Sequence, residues 1–359
     1  MDNQRLLIWA FFGMMVWLTY QAWMQDYGPQ PAPAPVATEA PASEAADAGI
    51  PDLTDTMAEA PDVMPAAEAP APDVGAATAP SILVRTNVFE LELSTLGGTI
   101  QRATLLNYPV AKDRPNELVE LMSSDIDELG LIQSGLRSIG EGPEPNHRAT
   151  LSGTASSVSL GGDDELVVPL TWTDGAGITV EKRFRFERDS YEITIEQEIT
   201  NDSDTPWRGA EYAQLQRRSF EQERSMFDVD SYSFDGPIVY NGEKSEKLKR
   251  DDLLDDGPYS FTTDQGWFGA IQHHFVSAVV PSRDTSQRYS VSVRGAVSTA
   301  SAIGPTKTVA PGESATFTTT AFIGPKLQSQ LEDIDPTLKL TVDYGWLTIL
   351  SQPLFWLLS

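Results

Sequence analysis

The chain has 359 residues, 52 acidic against 25 basic side chains, a formal net charge of −27 and no cysteine. Without thiols there is no disulfide framework, no thiolate metal site and no thiol nucleophile. The charge argues against a nucleic-acid partner, because no basic stripe faces phosphates, and against broad attraction to anionic lipid headgroups.

Residues 1–5 are polar and carry Arg5; from Leu6 to Leu18 the chain is then apolar, and the run closes at Met24. A stretch of about nineteen residues is near the minimum for a spanning helix. Leu6, Trp9 and Phe12 would lie in lipid, with Trp17, Tyr20 and Trp23 as an aromatic belt at the far interface. A cleaved signal peptide is the competing reading. The first Ala-x-Ala, Ala32-Pro-Ala34, lies too far along and is crowded by proline, so we read 6–24 as an uncleaved signal anchor. Arg5 before it and acid after it put the N-terminus in the cytoplasm and the rest outside.

Residues 25–80 carry ten acidic side chains and no Lys or Arg, amid Pro and Ala. Such a segment buries too little apolar surface to offset the entropy of ordering it, so it reads as a disordered tether.

From Ile82 the pattern has period two. Phe89, Leu91 and Leu93 alternate with Glu90, Glu92 and Ser94, and Gly97-Gly98 supplies a turn. Leu166–Trp172 and Ile178–Phe186 flank Asp174-Gly-Ala-Gly177, a hairpin signal, with Phe184 expected between two sheets. Tyr191, Ile193, Ile195 and Ile199 alternate with Glu192, Thr194, Glu196 and Glu198, and strand patterns recur at Phe275–Val280, Tyr289–Val293 and Ala315–Ile323. Without intervening helices, this predicts a mainly β, antiparallel sandwich over 81–325. Glu243–Asp252 is a mixed charge cluster, read as a solvated loop or short helix. Leu327, Leu331 and Ile334 repeat at helical spacing, and Leu338, Leu340 and Val342 alternate, so 326–343 reads as a short helix and connection.

Residues 344–359 begin with Tyr344 and Trp346. From Trp346 to Leu358 the run is mostly apolar, and Thr348, Ser351, Gln352 and Ser359 form one polar stripe at helical spacing. Such a helix covers only about 20 Å, short of a bilayer. It fits either an amphipathic helix at the membrane surface, with Trp346, Phe355 and Trp356 in the interface, or a core helix of a soluble domain. Pro353 interrupts either.

Catalytic motifs are absent: there is no phosphate loop, no Gly-x-Ser-x-Gly elbow and no His-Glu-x-x-His. Of the three histidines, His273 and His274 are adjacent on an expected strand, which would point them to opposite faces and prevent joint metal ligation. We expect no enzyme activity, no metal and no cofactor.

Three segments carry a resemblance. They are Asp343–Trp346 with Ser351–Phe355, Pro169–Gly177, and Gln265–Phe275 with its Gly-Trp pair. With the N-terminal layout, these resemble the N-terminal part of the YidC/Oxa/Alb family of bacterial membrane protein insertases. The resemblance implies an inner-membrane protein with a periplasmic β-supersandwich and a C-terminal amphipathic helix. It also implies a membrane core following Ser359, with an arginine in a water-filled groove. The implied partners are nascent membrane proteins, Sec translocon subunits and the lipid bilayer. The family's periplasmic domain is similar to the supersandwich of sugar-binding and mutarotase proteins, which makes a membrane-anchored carbohydrate-binding sandwich the alternative.

Overall fold

The computed structural model describes residues 79–139, 144–218 and 234–342. The chain runs through β1 (Ser81–Arg85), β2 (Phe89–Ser94), β3 (Ile100–Ala111), β4 (Arg114–Met122) and β5 (Gly130–Ser138). Next come β6 (Ser152–Gly153), β7 (Ser157–Ser159), β8 (Glu165–Thr173), β9 (Ile178–Glu187) and β10 (Glu192–Asn201). Then follow β11 (Trp207–Arg218), β12 (Gly236–Tyr240), β13 (Ser245–Lys247), β14 (Tyr259–Thr263) and β15 (Trp267–Gln272). The last are β16 (Phe275–Pro281), β17 (Gln287–Arg294), β18 (Val297–Ile303), β19 (Lys307–Val309) and β20 (Ser314–Pro325).

They form two sheets. An 11-stranded sheet runs β14-β17-β18-β11-β5-β3-β2-β1-β7, with β19 on β11 and β4 on β3. A 9-stranded sheet runs β13-β12-β15-β16-β20-β10-β9-β8-β6. Every pairing among the described residues is antiparallel except β1 with β7. The predicted antiparallel sandwich is therefore the observed fold.

Burial follows the period-two pattern. Phe89, Leu91 and Leu93 are buried, as are Tyr191, Ile193, Ile195 and Ile199. The hairpin expected at Asp174 is present: Trp172 faces Val180 across it. Asp174 Oδ1 accepts from the amides of Ala176 (2.7 Å) and Ile178 (2.9 Å), which fixes the turn. Pro169 is tolerated in β8 because the strand has a neighbour on its far side only at Leu170 and Thr171. Gly97 takes a positive φ of 67°, and a Cβ there would lie 2.2 Å from the His147 backbone, so the turn between β2 and β3 requires glycine.

One core spans both sheets. At one end an aromatic chain stitches the layers. Phe89 of the larger sheet meets Phe186 at 6.0 Å and Tyr191 at 6.1 Å, and Tyr191 meets Phe322 at 6.3 Å.

The short helix expected from Leu327, Leu331 and Ile334 is present, and two other local expectations change. The charge cluster Glu243–Asp252 becomes strand β13 followed by the start of a helix over Arg250–Asp255. The helix over Gln328–Ile334 buries Leu331 fully, while Leu327 sits at its N-cap, 40% exposed. Leu338, Leu340 and Val342 do not extend as a strand; Leu338–Thr341 is a 3-10 turn, begun by the Asp335-Pro336-Thr337 corner.

Replacing Phe89 with Ala removes a fully buried ring and its edge contacts. We expect a loss of about 3–5 kcal/mol in urea unfolding monitored by tryptophan fluorescence. A loss below about 1 kcal/mol would place Phe89 outside the shared core.

Candidate functional site

The membrane-anchor residues (Leu6, Trp9, Phe12, Trp17, Tyr20, Trp23) and the interfacial residues (Tyr344, Trp346, Pro353, Phe355, Trp356) lie outside the described residues. The histidine expectation is corrected. Gln272 pairs with Phe275, so His273 and His274 form the two-residue turn of a hairpin, with His273 at φ 49°. Side chains in such a turn do not alternate across a sheet, and the two rings lie 4.0 Å apart. Among the described residues no group of three metal-ligating side chains exists.

Two polar constellations were not foreseen. The first lies between the sheets. Lys182, on β9, is fully buried and donates to the carbonyls of Gly97 (2.7 Å) and Ser134 (2.8 Å), both from the opposite sheet. Glu211, on β11, accepts the Thr319 hydroxyl at 2.5 Å, again across the layer. Each sheet thus sends one ionisable side chain to a hydrogen-bond partner on the other. Gln197 stands opposite Lys182 in the β9–β10 register and is also buried.

Burial pulls the Lys182 ammonium down to about 7, with Glu211 acting in the other direction. Burial pushes the Glu211 carboxyl up, against the Thr319 hydroxyl and the charges of Lys307 and Lys182. The sequence did hold a signal for the lysine: in Ile178-x-Val180-x-Lys182-x-Phe184-x-Phe186 it occupies the inward phase. Glu211 shares its phase with Ala213 and Leu215, but Trp207–Arg218 lacks the continuous apolar alternation that marks a strand.

The second constellation fixes the C-terminal end of the described chain. Asp335, buried between the last helix and the 3-10 turn, pairs with the Arg283 guanidinium from the β16–β17 loop. Asp335 Oδ1 accepts from the Thr337 amide (2.7 Å) and the Thr337 hydroxyl (2.6 Å). That hydroxyl accepts in turn from Trp267 Nε1 at 2.8 Å. Trp267 is fully buried and stacks on Tyr240 at 6.1 Å. Leu331 and Leu338 are fully buried on either side of Asp335. The backbone leading to Val342 is therefore clamped to the sandwich by charge, hydroxyl and indole together.

These features define an antiparallel β-supersandwich domain whose last described residues are tied to the sheets by Asp335, Thr337 and Trp267. Residues 81–357 match the family model described as the YidC periplasmic domain, and the chain belongs to that family. It is 35% identical over its whole length to the membrane protein insertase YidC of Thioalkalivibrio sulfidiphilus (strain HL-EbGR7), of which it covers 65%. It is 38% identical to that of Methylococcus capsulatus (strain ATCC 33009 / NCIMB 11132 / Bath), covering 100% of this chain and 64% of the relative. The chain thus spans under two thirds of these relatives' length. Among solved structures, a galactose mutarotase-like protein from Lactobacillus casei aligns at 10% identity and a TM-score of 0.46, covering 68% of this chain and 99% of its own.

Stability should follow the lysine. Above its unfolded pKa of 10.5 Lys182 is neutral in both states. As pH falls from there to about 7, the unfolded chain takes up a proton that the folded chain refuses, so stability falls, then levels off. The buried tyrosines Tyr212 and Tyr289, whose pKa values burial raises, reverse the trend above their ordinary value of 10.0, so the clean window is roughly pH 7 to 9. Urea midpoints should rise across that window in the native chain and flatten in Lys182→Met. An equal slope in both would assign the pH dependence elsewhere.

The clamp makes a separate prediction. Asp335→Ala strands the Arg283 charge and the Thr337 donors, at a cost of about 2–4 kcal/mol. Cleavage within residues 327–342 should be faster in this variant than in the native chain; unchanged stability and an unchanged rate of cutting there would show that the clamp carries no energy.

Proposed function

We propose that this chain is the N-terminal part of a membrane protein insertase of the inner membrane. Its N-terminus is cytoplasmic, its anchor spans residues 6–24, and its sandwich stands in the periplasm. The observation that carries this reading is the match along the whole chain to relatives named membrane protein insertase. Insertion lowers the cost of moving polar backbone through hydrocarbon, where each unsatisfied group costs several kcal/mol. The sandwich lies outside that medium, so its part is positional. Asp335, Thr337 and Trp267 hold the chain at Val342, and through it they set the direction in which Tyr344, Trp346, Pro353, Phe355 and Trp356 approach the membrane surface. The partners are nascent membrane proteins, Sec translocon subunits and lipid.

The carbohydrate-binding alternative has less support. The cavity beside Glu211 measures about 70 Å³, well under the roughly 300–1,000 Å³ of small-molecule sites.

A chimera tests the proposal. This chain replaces the corresponding part of the Methylococcus capsulatus relative, in cells depleted of their own insertase. The native chimera should restore growth and client insertion, and Asp335→Ala should insert more slowly at equal abundance. Alkaline phosphatase should be active when fused after Pro80 and silent before Leu6. Failure of the native chimera at normal abundance would remove the assignment, and an active fusion before Leu6 would reverse the topology.

A further inference from the structure

Strand β20 is paired on both sides only over Thr319–Phe322. Towards β10 the register runs from Phe322, opposite Glu192, to Ser314, opposite Thr200. Towards β16 it runs from Pro325, opposite Phe275, to Thr319, opposite Pro281, and stops. Ser314–Thr318 therefore presents an edge with no strand of the described residues beside it, and no other backbone hydrogen bond from those residues reaches that edge. Alternate residues of an antiparallel strand turn their N–H and C=O groups to opposite sides, so about half the backbone groups of this stretch face the gap.

The gap has a built floor. A cavity of about 70 Å³ opens against Thr316 and Thr318, between the β16–β17 loop and Lys307. Glu211, only 7% exposed, lines it. One of its carboxylate oxygens takes the Thr319 hydroxyl, and the other has no hydrogen bond among the described residues. Asp284 stands on the rim, its Oδ2 accepting from Ser282 Oγ at 3.3 Å. Lys307 is drawn over the Phe317 ring, 4.6 Å from its centroid. Glu211 and Asp284 thus bring two carboxyl groups to the cavity, with Lys307 beside it and Lys182 acting on Glu211 from the interior. At about 70 Å³ the cavity is small and suits the end of one side chain.

We propose that the open Ser314–Thr318 edge and the Glu211 cavity together bind an extended polypeptide segment, which adds a strand to β20 and places a lysine ammonium in the cavity. Main-chain pairing supplies affinity in strand addition, and a pocket for an alternate side chain supplies specificity. The ammonium would hold Glu211 ionised and satisfy its second oxygen, replacing solvent with a charge-assisted hydrogen bond. The occupant is a segment of another protein in extended form. A second copy of this chain is the competing occupant.

The test uses the purified full chain in detergent and a fluorescent synthetic peptide of alternating threonine and valine with one central lysine. Saturable binding is expected, with slowed amide exchange at Thr316–Thr318 and no change on the paired stretch Thr319–Phe322. Affinity should fall by about tenfold or more in each of three cases: methionine in place of the lysine, N-methylation of the peptide's pairing edge, and Glu211→Gln in the chain. The two peptide changes keep the test valid even where Glu211→Gln weakens the fold. No binding at millimolar peptide, binding indifferent to N-methylation, or protection at another strand would each overturn the proposal. So would concentration-dependent dimerisation that protects Ser314–Thr318 and excludes peptide. The measurement involves no insertion activity, so its failure leaves the insertase reading untouched.

Discussion

The sandwich depends on how two ionisable side chains are housed in its apolar layer. Lys182 enters from the smaller sheet and Glu211 from the larger one, and neither forms a simple ion pair. Each is received by groups of the opposite sheet: backbone carbonyls for the ammonium, a hydroxyl for the carboxylate. An apolar pair of the same volume would give equal or greater stability, because desolvating charge costs more than a single pairing returns. What the polar exchange adds is registration. A carbonyl at the Gly97 turn and another at Ser134 receive Lys182 only if β9 lies over β2–β3 and β5 at one offset. A slip of either sheet leaves a buried amine without acceptors, which costs several kcal/mol. Two large sheets packed by aliphatic side chains alone have many near-equivalent offsets, and the exchange selects one of them.

The same logic extends to the exit. Asp335 is received by Arg283 and Thr337, and Thr337 by Trp267, whose strand lies in the smaller sheet. Fixing the sheets by Lys182 and Glu211 fixes β15 and the β16–β17 loop, and these fix Asp335. The orientation of the chain at Val342 is thus inherited from the interior of the sandwich rather than set by local helix propensity. The helix over Gln328–Ile334 is a single short element with no side-chain cap at Leu327, so it has little stability of its own.

Much of this fold was legible in the sequence because one face of most strands is buried. Alternation at Phe89–Leu93, Ile178–Phe186 and Tyr191–Ile199 reports that directly. β11 was missed for the complementary reason. It is covered on both faces, yet it carries Glu211, Gln214 and Gln216 inside, so neither a continuous apolar run nor an alternation marks it. The His273-His274 turn was misread because no Gly or Asn announces it; a histidine bears the positive φ instead. The clamp was illegible for a third reason. Arg283 and Trp267 are distant in sequence from Asp335 and Thr337, and only the finished topology brings them together.

The open edge and the clamp are two results of one turn of the chain. β16 could in principle continue along β20 beyond Thr319, closing the gap. Pro281 has no N–H to offer a further ladder bond, and Arg283 follows two residues later. A strand continued in the same register would set Arg283 opposite Phe317, heading towards Ser314 and away from Asp335. The chain instead leaves the sheet at Pro281, swings Arg283 to Asp335, and re-enters the other sheet at Gln287. Leaving Ser314–Thr318 unpaired is the geometric cost of bringing a cation to the exit. An exposed edge normally invites unwanted pairing, and charge is the usual means of preventing it. Glu211 and Asp284 beside this edge repel an acidic strand, lose hydration without return to an apolar one, and admit one that brings a cation. The carboxylates that guard the gap are therefore also the groups that select what fills it.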